Sequence, residues 1–457
     1  MITGLPSFAD REFPTFTKLN AINSALQSKF SNGIIGSDLK YPFQLAGNLD
    51  MNSFTLLNFG TGVANVRVAS SFPSIQDALD DLPPAGGVVF LPAGTYNISV
   101  PLDMQGTATK DPNPHNAVSL IGCGYASQIV ASTTMGSSAS MIRMSRPGGT
   151  SANMQIRNLA LELNGNSNLA AGISCENSVS SRIADVWLTN SAANTCLIDA
   201  TGASKMTIHN CVLQGSQVGV KLRPGAANVN GPYMLSNLYC LTQAVAGIEA
   251  KWYAQLNISE CIFIPSSGYG ISATHDTDAN AKALSITSNV FVGGSGGISV
   301  TCKPPSSSIL IANNTISAIN NIGINLLLTG TGANVTKNVT ISGNLLYLNT
   351  GAGIGISGGP LMGLGIVGNT LFENVVGGSA YQIDVAGLDA ANPVSYGCVT
   401  GNTFQKGTTG NATGNVRLGE TGATSSCTKF AVTGNAGDQA TNVIDPIHHV
   451  LGVNIWG

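Results

Sequence analysis

The sequence predicts an all-β solenoid, in which short strands wind into successive stacked coils. Nine segments share one pattern: an apolar residue, any residue, an apolar residue, two small or polar residues, and then Asn, Asp or Glu. Gly followed by an apolar residue comes shortly after most of these markers, as at Gly219-Val220 and Gly247-Ile248. A repeat of about 28 residues built from alternating strands and Gly or Asn turns is typical of stacked β-coils. The markers stand at positions 210, 237, 260, 289, 314, 344, 369, 402 and 435.

The composition fits a long, narrow core. The chain has 457 residues, of which 43% are hydrophobic and 9% are charged, and it contains 55 Gly. An ordinary globular protein has about 25% charged residues. The net charge of −3 argues against nucleic acid as a partner. The first residues lack a basic and then apolar leader, and the uncharged stretch 351–368 is too rich in Gly for a membrane span, so we expect neither a secretory signal nor membrane insertion.

Several polar or reactive residues are expected to have structural roles. The nine Cys lack CxxC spacing, and Cys211 and Cys261 hold the same place in their repeats, which predicts reduced interior thiols. Asp80-Asp81 is expected to form a solvated helix face. A group of repeat asparagines predicts a ladder at the turns, because Asn tolerates the left-handed conformation: these are Asn289, Asn314, Asn344, Asn369 and Asn402.

Residues 1–62 do not repeat. An amphipathic helix is predicted over 15–30, since Phe16, Leu19, Ile22, Leu26 and Phe30 recur at helical spacing. That apolar stripe must be buried. We expect it to dock onto a partner or to self-associate, and the alternative is packing on the coils of the same chain.

A short helix is predicted just before the first coil. Ser74 is suited to cap it, with Asp77 at the third helical position, and Pro83-Pro84 ends it. Ile75, Ala78, Leu79 and Leu82 form its apolar face. Such a helix is needed because an open solenoid end exposes unpaired backbone groups and core side chains.

This region resembles the opening of pectate-lyase-like right-handed parallel β-helix proteins. The resemblance rests on FPSIQDAL at 72–79, GGVVFLPAGTY at 86–96 and LIGCG at 120–124, and with the coils it covers residues 65–440. The non-repetitive N-terminus is similar to the particle-attaching part of bacteriophage tailspikes and tail fibres. We therefore expect an attachment or oligomerisation region at 1–62, a right-handed parallel β-helix at 63–440 and a C-terminal cap or tail at 441–457.

The resemblance does not supply a catalytic site. The paired Asp, Gly-His-Gly and Arg-x-Lys motifs of polygalacturonases and the Arg-x-Pro-x-x-Arg pattern of pectate lyases are absent from the sequence. Charge distribution is more informative, because 15 charged residues lie within 157–282 whereas two, Lys303 and Lys337, lie within 283–372. Charged chemistry is thus expected in the middle coils.

Aligning the strands that begin at Gly-apolar places these charges on one face, because alternate residues of a strand point outward. The first outward column reads Ser174, Asp199, Lys221, Glu249, Ser272, Ser299 and Asn325. The second column reads Glu176, Thr201, Arg223, Lys251, Thr274, Thr301 and Leu327.

Asp199 and Glu249 are the candidate catalytic carboxylates. They would lie two coils apart, about 9.6 Å at the backbone, and inverting glycosidases hold their carboxyls ~6.5–9.5 Å apart. Lys221 between them would keep one ionised, while a less polar setting would leave the other protonated. The alternatives are a binding groove without catalysis and a plain ladder of cross-strand ion pairs. The candidate substrate-binding residues are Lys221, Arg223, Lys251, Trp252, Tyr253, His275 and Asp276.

The resulting functional hypothesis is a bacteriophage tailspike that binds a host surface polysaccharide and depolymerises it by glycoside hydrolysis. The alternatives are a polysaccharide lyase and a non-catalytic tail fibre or adhesin. We expect a homotrimer located in the virion tail, assembled in the host cytoplasm and attached to a tail or baseplate protein through residues 1–62. His275, Asp276 and Asp278 form a weak cation-binding pattern; we expect no metal site and no cofactor.

Overall fold

The computed structural model describes residues 65–457, apart from short gaps. The gaps are 111–112, 137–139, 191–195, 225–231, 253–254, 276–282, 304–306, 332–334, 377–380, 388–390, 406–412, 420–426, 438–441, 444–449, 452–453 and 457. The chain divides into two units, 1–64 and 65–457. The predicted helix at 15–30 and the predicted attachment region lie outside the described residues.

The described unit is built almost entirely of short strands. In the N-terminal half these are β1 Val66–Val68, β2 Gly87–Leu91, β3 Gly94–Ile98, β4 Leu102–Asp103, β5 Val118–Gly122, β6 Ser127–Ala131, β7 Ser140–Arg143, β8 Ser151–Ala152, β9 Gln155–Glu162, β10 Ala171–Ser174, β11 Ser178–Val179, β12 Arg182–Asn190, β13 Cys196–Thr201, β14 Met206–Gly215, β15 Val218–Arg223, β16 Tyr233–Leu241, β17 Ala246–Trp252, β18 Gln255–Ser259, β19 Ile262–Ile264 and β20 Tyr269–His275. In the C-terminal half they are β21 Ala283–Thr287, β22 Val290–Val292, β23 Gly296–Cys302, β24 Ser307–Ala312, β25 Thr315–Ser317, β26 Ile324–Leu328, β27 Thr336–Ser342, β28 Leu345–Tyr347, β29 Ile354–Gly358, β30 Leu361–Val367, β31 Thr370–Phe372, β32 Tyr381–Ala386, β33 Val394–Thr400, β34 Thr403–Gln405, β35 Gly414–Leu418, β36 Cys427–Thr433, β37 Ala436–Gly437, β38 Asn442–Val443, β39 Val450–Leu451 and β40 Ile455–Trp456. The helices are α1, Ile75–Asp80, and two 3₁₀ turns at Ala69–Ser71 and Gly124–Ala126.

These strands stack into two long parallel sheets, so the predicted solenoid is confirmed. One sheet has 25 strands and the other has 13, and a further pair, β8 and β11, stands apart. Each strand pairs with the strand one coil later, as β15 does with β17 and β17 with β20. Residues about 25–30 positions apart in the sequence are therefore neighbours in space.

The core is a row of apolar columns along the solenoid. In the 13-stranded sheet, Ile198, Val220, Ile248, Ile271 and Ile298 stack in register, and each is fully buried. The residue after each of them points outward, because side chains alternate along a strand. This alternation creates the outward columns that carry the candidate site.

The first coil is covered by α1, as predicted. The Ser74 hydroxyl accepts a hydrogen bond from the Asp77 backbone N–H at 3.1 Å, and this satisfies one of the amides left free at a helix N-terminus. The apolar side chains of the helix are buried beneath it, namely Ile75, Ala78 and Leu79.

The expected solvated face at Asp80-Asp81 is wrong for Asp80. Its side chain is 3% exposed, and its Oδ1 accepts from the Thr107 backbone N–H at 2.7 Å and from Gln76 Nε2 at 2.8 Å. Oδ2 accepts from the Thr107 hydroxyl at 3.0 Å. Asp80 thus ties the capping helix to the following loop, whereas Asp81 is exposed and pairs with Arg67.

The asparagine ladder exists, but the conformational reason predicted for it is wrong. Each ladder amide donates to the Oδ1 of the asparagine one coil later at 2.9–3.0 Å, in the order Asn289, Asn314, Asn344, Asn369, Asn402 and Asn435. The left-handed residue is the one before each ladder position, such as Ser288, Asn313 and Gly343.

The sequence markers of the early and late coils do not occupy the same structural position. In the early coils the marker is the left-handed residue itself, whereas in the late coils the marker follows the left-handed residue. Asn210 and Asn237 are themselves left-handed, with φ of 51° and 53°. In the early coils the ladder position is held by buried apolar residues, since the pairing aligns Cys211, Leu238 and Cys261 with Asn289. The predicted equivalence of Cys211 and Cys261 is confirmed.

The stacking also continues beyond the expected boundary at 440. Strands β38, β39 and β40 pair with β35, β36 and β37, so the residues expected to form a cap or tail include a further coil. None of the helices in the described part of the chain has the length and apolar character that a membrane span requires.

Removing one ladder amide is expected to destabilise the solenoid. Asn344 is 1% exposed and bonds to Asn369 Oδ1 and to the Ile311 carbonyl. In Asn344→Ala the Ile311 carbonyl and the Asn314 side-chain amide lose a buried hydrogen-bond partner, which costs about 1–3 kcal/mol, so the midpoint of thermal unfolding should fall. Asn325→Ala, at a half-exposed position on an outward column, is the matched control and should shift the midpoint little. Equal shifts would contradict the structural role of the ladder.

Thiol reactivity tests the interior placement of the cysteines. Seven of the nine are buried, but Cys123 is exposed and Cys398 is half-buried, so the prediction of interior thiols fails at Cys123. Burial raises the pKa of Cys211 and of Cys261 to about 12. Raised pKa values keep these thiols neutral near pH 8, and the thiolate is the reactive form. A disulfide reagent at pH 8 should therefore label Cys123 rapidly and the seven buried thiols only after denaturation; rapid native labelling of several thiols would contradict the packing.

Candidate functional site

Five charged residues of the middle coils lie on two neighbouring outward columns, in the predicted register. Asp199 on β13 pairs with Lys221 on β15, and Lys221 pairs with Glu249 on β17. Arg223 and Lys251 lie two residues further along β15 and β17. Five charged side chains thus share one face of the 13-stranded sheet over three coils.

Asp199 is held by its own strand and by the next one. Its Oδ1 accepts from the Thr201 backbone N–H at 3.0 Å and from the Thr201 hydroxyl at 2.6 Å. Its Oδ2 lies 4.0 Å from Lys221 Nζ, and both side chains are about a quarter exposed. Both carboxylate oxygens are therefore engaged.

Glu249 is engaged on one side only. Its Oε1 accepts from Arg223 Nη2 at 2.6 Å, and the described residues give Oε2 no partner. Each candidate carboxylate thus lies beside a cation, and the less polar setting expected for one of them is not found among the described neighbours. Glu249 retains a free oxygen for a ligand.

An ion pair on this face is not by itself a mark of function. Arg143 pairs with Asp103 at 2.6 Å, and Arg417 pairs with Asp384 at 2.5 Å, and both pairs stand near the ends of the same sheet. Cross-strand pairs of this kind stabilise sheets modestly. What distinguishes Glu249 is the groove beside it.

The groove has a volume of about 460 Å³, within the range of small-molecule sites. Glu249, Lys251, Ser272 and Thr274 form its floor on β17 and β20, and turn residues before β17, β20 and β23 form its rim. The rim residues are Ala244, Val245, Ser267, Gly268 and Ser295. One carboxylate, one ammonium and several hydroxyls therefore line a single concave surface.

Tyr269 also lines this groove and is not among the site residues predicted from the sequence. It pairs with Ala246 on one side and Gly296 on the other. A Cβ at Gly296 would lie 2.2 Å from the Tyr269 ring, so the ring lies over the glycine. The sequence does contain a pattern that could have identified Tyr269. The residues at the equivalent position of the preceding and following coils are small, Ala246 and Gly296, which leaves room for the ring.

Four of the predicted substrate-binding residues have side chains that the structure does not describe. Trp252 and His275 pair at the ends of β17 and β20, and their side chains lie outside the described part of the chain, as do Tyr253 and Asp276 altogether. Within the described ranges, no cluster of three or more His, Cys, Asp or Glu side chains is arranged to hold a metal ion.

The geometry suits an extended, hydroxyl-rich ligand. Asp199 and Glu249 bracket Lys221 at two strand spacings, about 9.6 Å. Asp199 and Lys221 lie on the same column but outside the groove lining, whereas Glu249 and Lys251 lie within it. The column thus extends from the groove toward Asp199.

Comparisons with known proteins agree with this architecture. Residues 60–272 match the family model "Rhamnogalacturonase A/epimerase, pectate lyase-like", and residues 244–412 match "Right handed beta helix region". No curated protein matches the sequence.

Among solved structures, tailspike protein 3 of bacteriophage CBA120 has a TM-score of 0.55 at 13% identity, covering 94% of this chain and 68% of that one. The pre-mature gene product 12 of bacteriophage phi29 has a TM-score of 0.51 at 14% identity, covering 79% of this chain; the match spans half (50%) of that longer chain. The A-module of an Azotobacter vinelandii mannuronan C-5 epimerase has a TM-score of 0.49 at 15% identity, covering 86% of this chain and 99% of that one. The chain thus folds as a right-handed parallel β-helix with a pectate-lyase-like match over residues 60–272, and a phage tailspike is among the solved structures that share this fold.

Proposed function

We propose that this protein is a bacteriophage tailspike that binds a host surface polysaccharide at the groove beside Glu249 and depolymerises it by glycoside hydrolysis. The observation that carries the proposal is the groove itself, where a carboxylate, an ammonium, hydroxyls and an aromatic ring line one concave surface. The fold is shared with tailspike protein 3 of bacteriophage CBA120. Binding is the part of the proposal that this geometry supports best.

The lining matches the chemistry of a sugar chain. Ser272, Thr274 and the free Glu249 oxygen supply donors and acceptors for hydroxyl groups, and the Tyr269 ring supplies an apolar surface for the C–H face of a sugar ring. Because the outward column continues through Ser299 and Asn325, several sugar units of an extended glycan have polar partners.

The reaction proposed for the bound glycan is hydrolysis. It requires one carboxyl to protonate the glycosidic oxygen and another to activate water. Glu249 is placed in the groove, and Asp199 lies two strands away. The Glu249 oxygen without a described partner faces a ligand in the groove, whereas both Asp199 oxygens are engaged by Thr201 and Lys221.

A lyase is the second candidate, and one observation favours it. Lys221, Arg223 and Lys251 are three cations on the same face, suited to neutralise a uronate carboxylate while a base removes the neighbouring proton. Tyr269 lies in the groove as a candidate base. A lyase product contains an unsaturated uronate that absorbs in the ultraviolet, and a hydrolase product does not.

The proposal extends to assembly and location. A homotrimer in the phage tail, attached to a tail or baseplate protein through residues 1–62, would present three such solenoid faces to the host surface. A non-catalytic receptor-binding fibre would have the same location, and it would bind glycan without releasing fragments.

Carboxylate variants test the catalytic part. The wild-type protein and its Glu249→Gln and Asp199→Asn variants are incubated with a panel of purified bacterial capsular polysaccharides and lipopolysaccharides, and the release of reducing ends and the ultraviolet absorbance are followed. Loss of an acid or base group should lower the rate of reducing-end release about 10²-fold or more. The ultraviolet absorbance should not rise with any of the three proteins, because hydrolysis forms no unsaturated uronate.

The matched control is Asp384→Asn, which removes a carboxylate from an ion pair on the same column, away from the groove. It should leave the rate unchanged. Full activity in both Glu249→Gln and Asp199→Asn would overturn the catalytic assignment, and release of no fragments by the wild type from any glycan it binds would leave a binding protein only.

Tyr269 tests the binding part. Tyr269→Ala removes the stacking surface and should weaken glycan binding by about tenfold, the equivalent of ~1.4 kcal/mol. Gly296→Ala keeps the ring but displaces it, because the added Cβ would overlap it, and should weaken binding in the same direction. Tyr396→Ala, at a tyrosine that is 53% exposed on the 25-stranded sheet, is the control. Unchanged calorimetric affinity in Tyr269→Ala would contradict the groove as the binding site.

A further inference from the structure

A second group of aromatic and polar side chains lies on the 25-stranded sheet, at a corner within β12. Asp185 forms this corner, because it has a left-handed φ of 55° and both of its chain neighbours, Ala184 and Val186, are buried. Trp187 comes two residues later and is 38% exposed. We call the following six side chains the corner cluster: Tyr125, Arg182, Asp185, Trp187, His209 and Asn210.

The aromatic part of the corner cluster is held in place and still exposed. Trp187 pairs with Ala160 on one side and with Val212 on the other, so the neighbouring coils leave room for its indole ring. Tyr125, in the 3₁₀ turn Gly124–Ala126, meets that ring edge to face, with 5.2 Å between the ring centroids. Tyr125 is 47% exposed. The contact between the rings fixes their position and leaves part of their surface to a ligand.

Asp185 offers a hydrogen-bond acceptor beside these rings. Its Oδ1 accepts from Asn210 Nδ2, and Asn210 Oδ1 in turn accepts from Asn237 Nδ2 at 2.9 Å. Both side-chain amides thus donate toward the Asp185 carboxylate, and such a chain of hydrogen bonds holds its orientation. The described residues give Asp185 Oδ2 no partner, so this oxygen can accept from a ligand.

His209 offers a donor next to the same corner, because it pairs with Ala184. Its Nε2 accepts from Arg182 Nε at 3.0 Å. Burial and the adjacent Arg182 lower the pKa of His209, so the ring is neutral at pH 7 and carries its proton on Nδ1. Within the part of the chain that the structure describes, this N–H has no acceptor. An acceptor and a donor with unused capacity therefore lie beside an exposed aromatic surface.

We propose that the corner cluster is a second glycan-binding site, which holds one sugar unit by stacking on Trp187 and by hydrogen bonds to Asp185 and His209. A sugar ring has an apolar C–H face and an edge of hydroxyl groups, and the cluster has a surface for each. The centre of a protein–protein interface is depleted of charged residues, whereas Arg182 and Asp185 belong to this cluster. Since β12 is paired with β9 and with β14, no backbone edge is free for an added peptide strand.

The two glycan sites are separate, and which glycan binds at the second one rests on the proposed function. The corner cluster lies on the 25-stranded sheet, whereas the groove floor lies on the 13-stranded sheet, and none of the six side chains lines the groove. Each site therefore binds its own segment of a polysaccharide. A polymer held at both sites binds more tightly than a fragment that fills one, because the second contact forms at a high effective concentration.

Equilibrium dialysis with a labelled oligosaccharide tests the second site. The probe is a short fragment, prepared by mild acid hydrolysis, of the purified capsular polysaccharide or lipopolysaccharide that the full-length wild-type protein binds. Two fragments should bind per wild-type chain. Trp187→Ala should weaken one of these sites about tenfold, and Tyr269→Ala should weaken the other.

A second variant and a control keep the test independent of folding defects. Asp185→Asn retains the acceptor for Asn210 but replaces the free oxygen with a donor, so it should weaken the same site as Trp187→Ala, again about tenfold. Tyr396→Ala, at an exposed tyrosine of the same sheet, should leave both sites unchanged. Circular dichroism checks that each variant is folded.

The outcomes separate the second site from the groove. One site per wild-type chain that Tyr269→Ala weakens would overturn the second site and leave the proposed function intact. Two sites that both keep their affinity in folded Trp187→Ala, or in Asp185→Asn, would also overturn it. One site per chain that Trp187→Ala weakens and Tyr269→Ala leaves unchanged would support the corner cluster and refute the groove. A wild-type protein that binds none of the glycans would refute both.

Discussion

Parallel, in-register pairing between successive coils is the constraint on which the rest of this structure depends. It fixes the spacing along the solenoid at about 4.8 Å and turns every position of the repeat into a column. A column of Ile and Val fills the core, as at Ile198, Val220 and Ile248. An outward column on the same strands gathers Asp199, Lys221 and Glu249 from 50 residues of sequence. The groove and the buried amide ladder are both consequences of this stacking.

Columns of like residues also explain how the chain remains ordered with little charge. In the late coils a corner that is apolar in the early ones is filled by asparagines, whose amides bond both to the next coil and to a carbonyl of the previous one, as Asn314 does with Asn344 and Ile286. Such bonds are strong only when every member is satisfied, because a buried unpaired amide is costly. The ladder therefore favours one register, and with it the alignment of the outward columns.

The fold and part of the candidate site could be predicted from the sequence, because both depend on the periodicity of the repeat. The coils, the capping helix with Ser74 at its start, and the column of Asp199, Lys221 and Glu249 follow from spacing alone. The remainder depends on side-chain directions and turn shapes that spacing does not encode. The Arg223–Glu249 pair, the buried setting of Asp80 and the groove rim at Ser267 and Gly268 are of this kind. Placing Tyr269 over Gly296 requires the register between neighbouring coils to be known to a single residue. The sequence markers do not give that precision, because the markers of the early and late coils differ by one residue in structural position.

The proposed function depends on recognition of a glycan on the outward face of the 13-stranded sheet, beside Glu249. A crystal structure of the protein with a bound oligosaccharide from its host glycan tests this most directly. We expect a sugar ring stacked on Tyr269, with hydroxyls within hydrogen-bond distance of Glu249 and Ser272 and the glycan chain running along the column toward Asp199. An oligosaccharide bound on the 25-stranded sheet, with the groove empty, would contradict it.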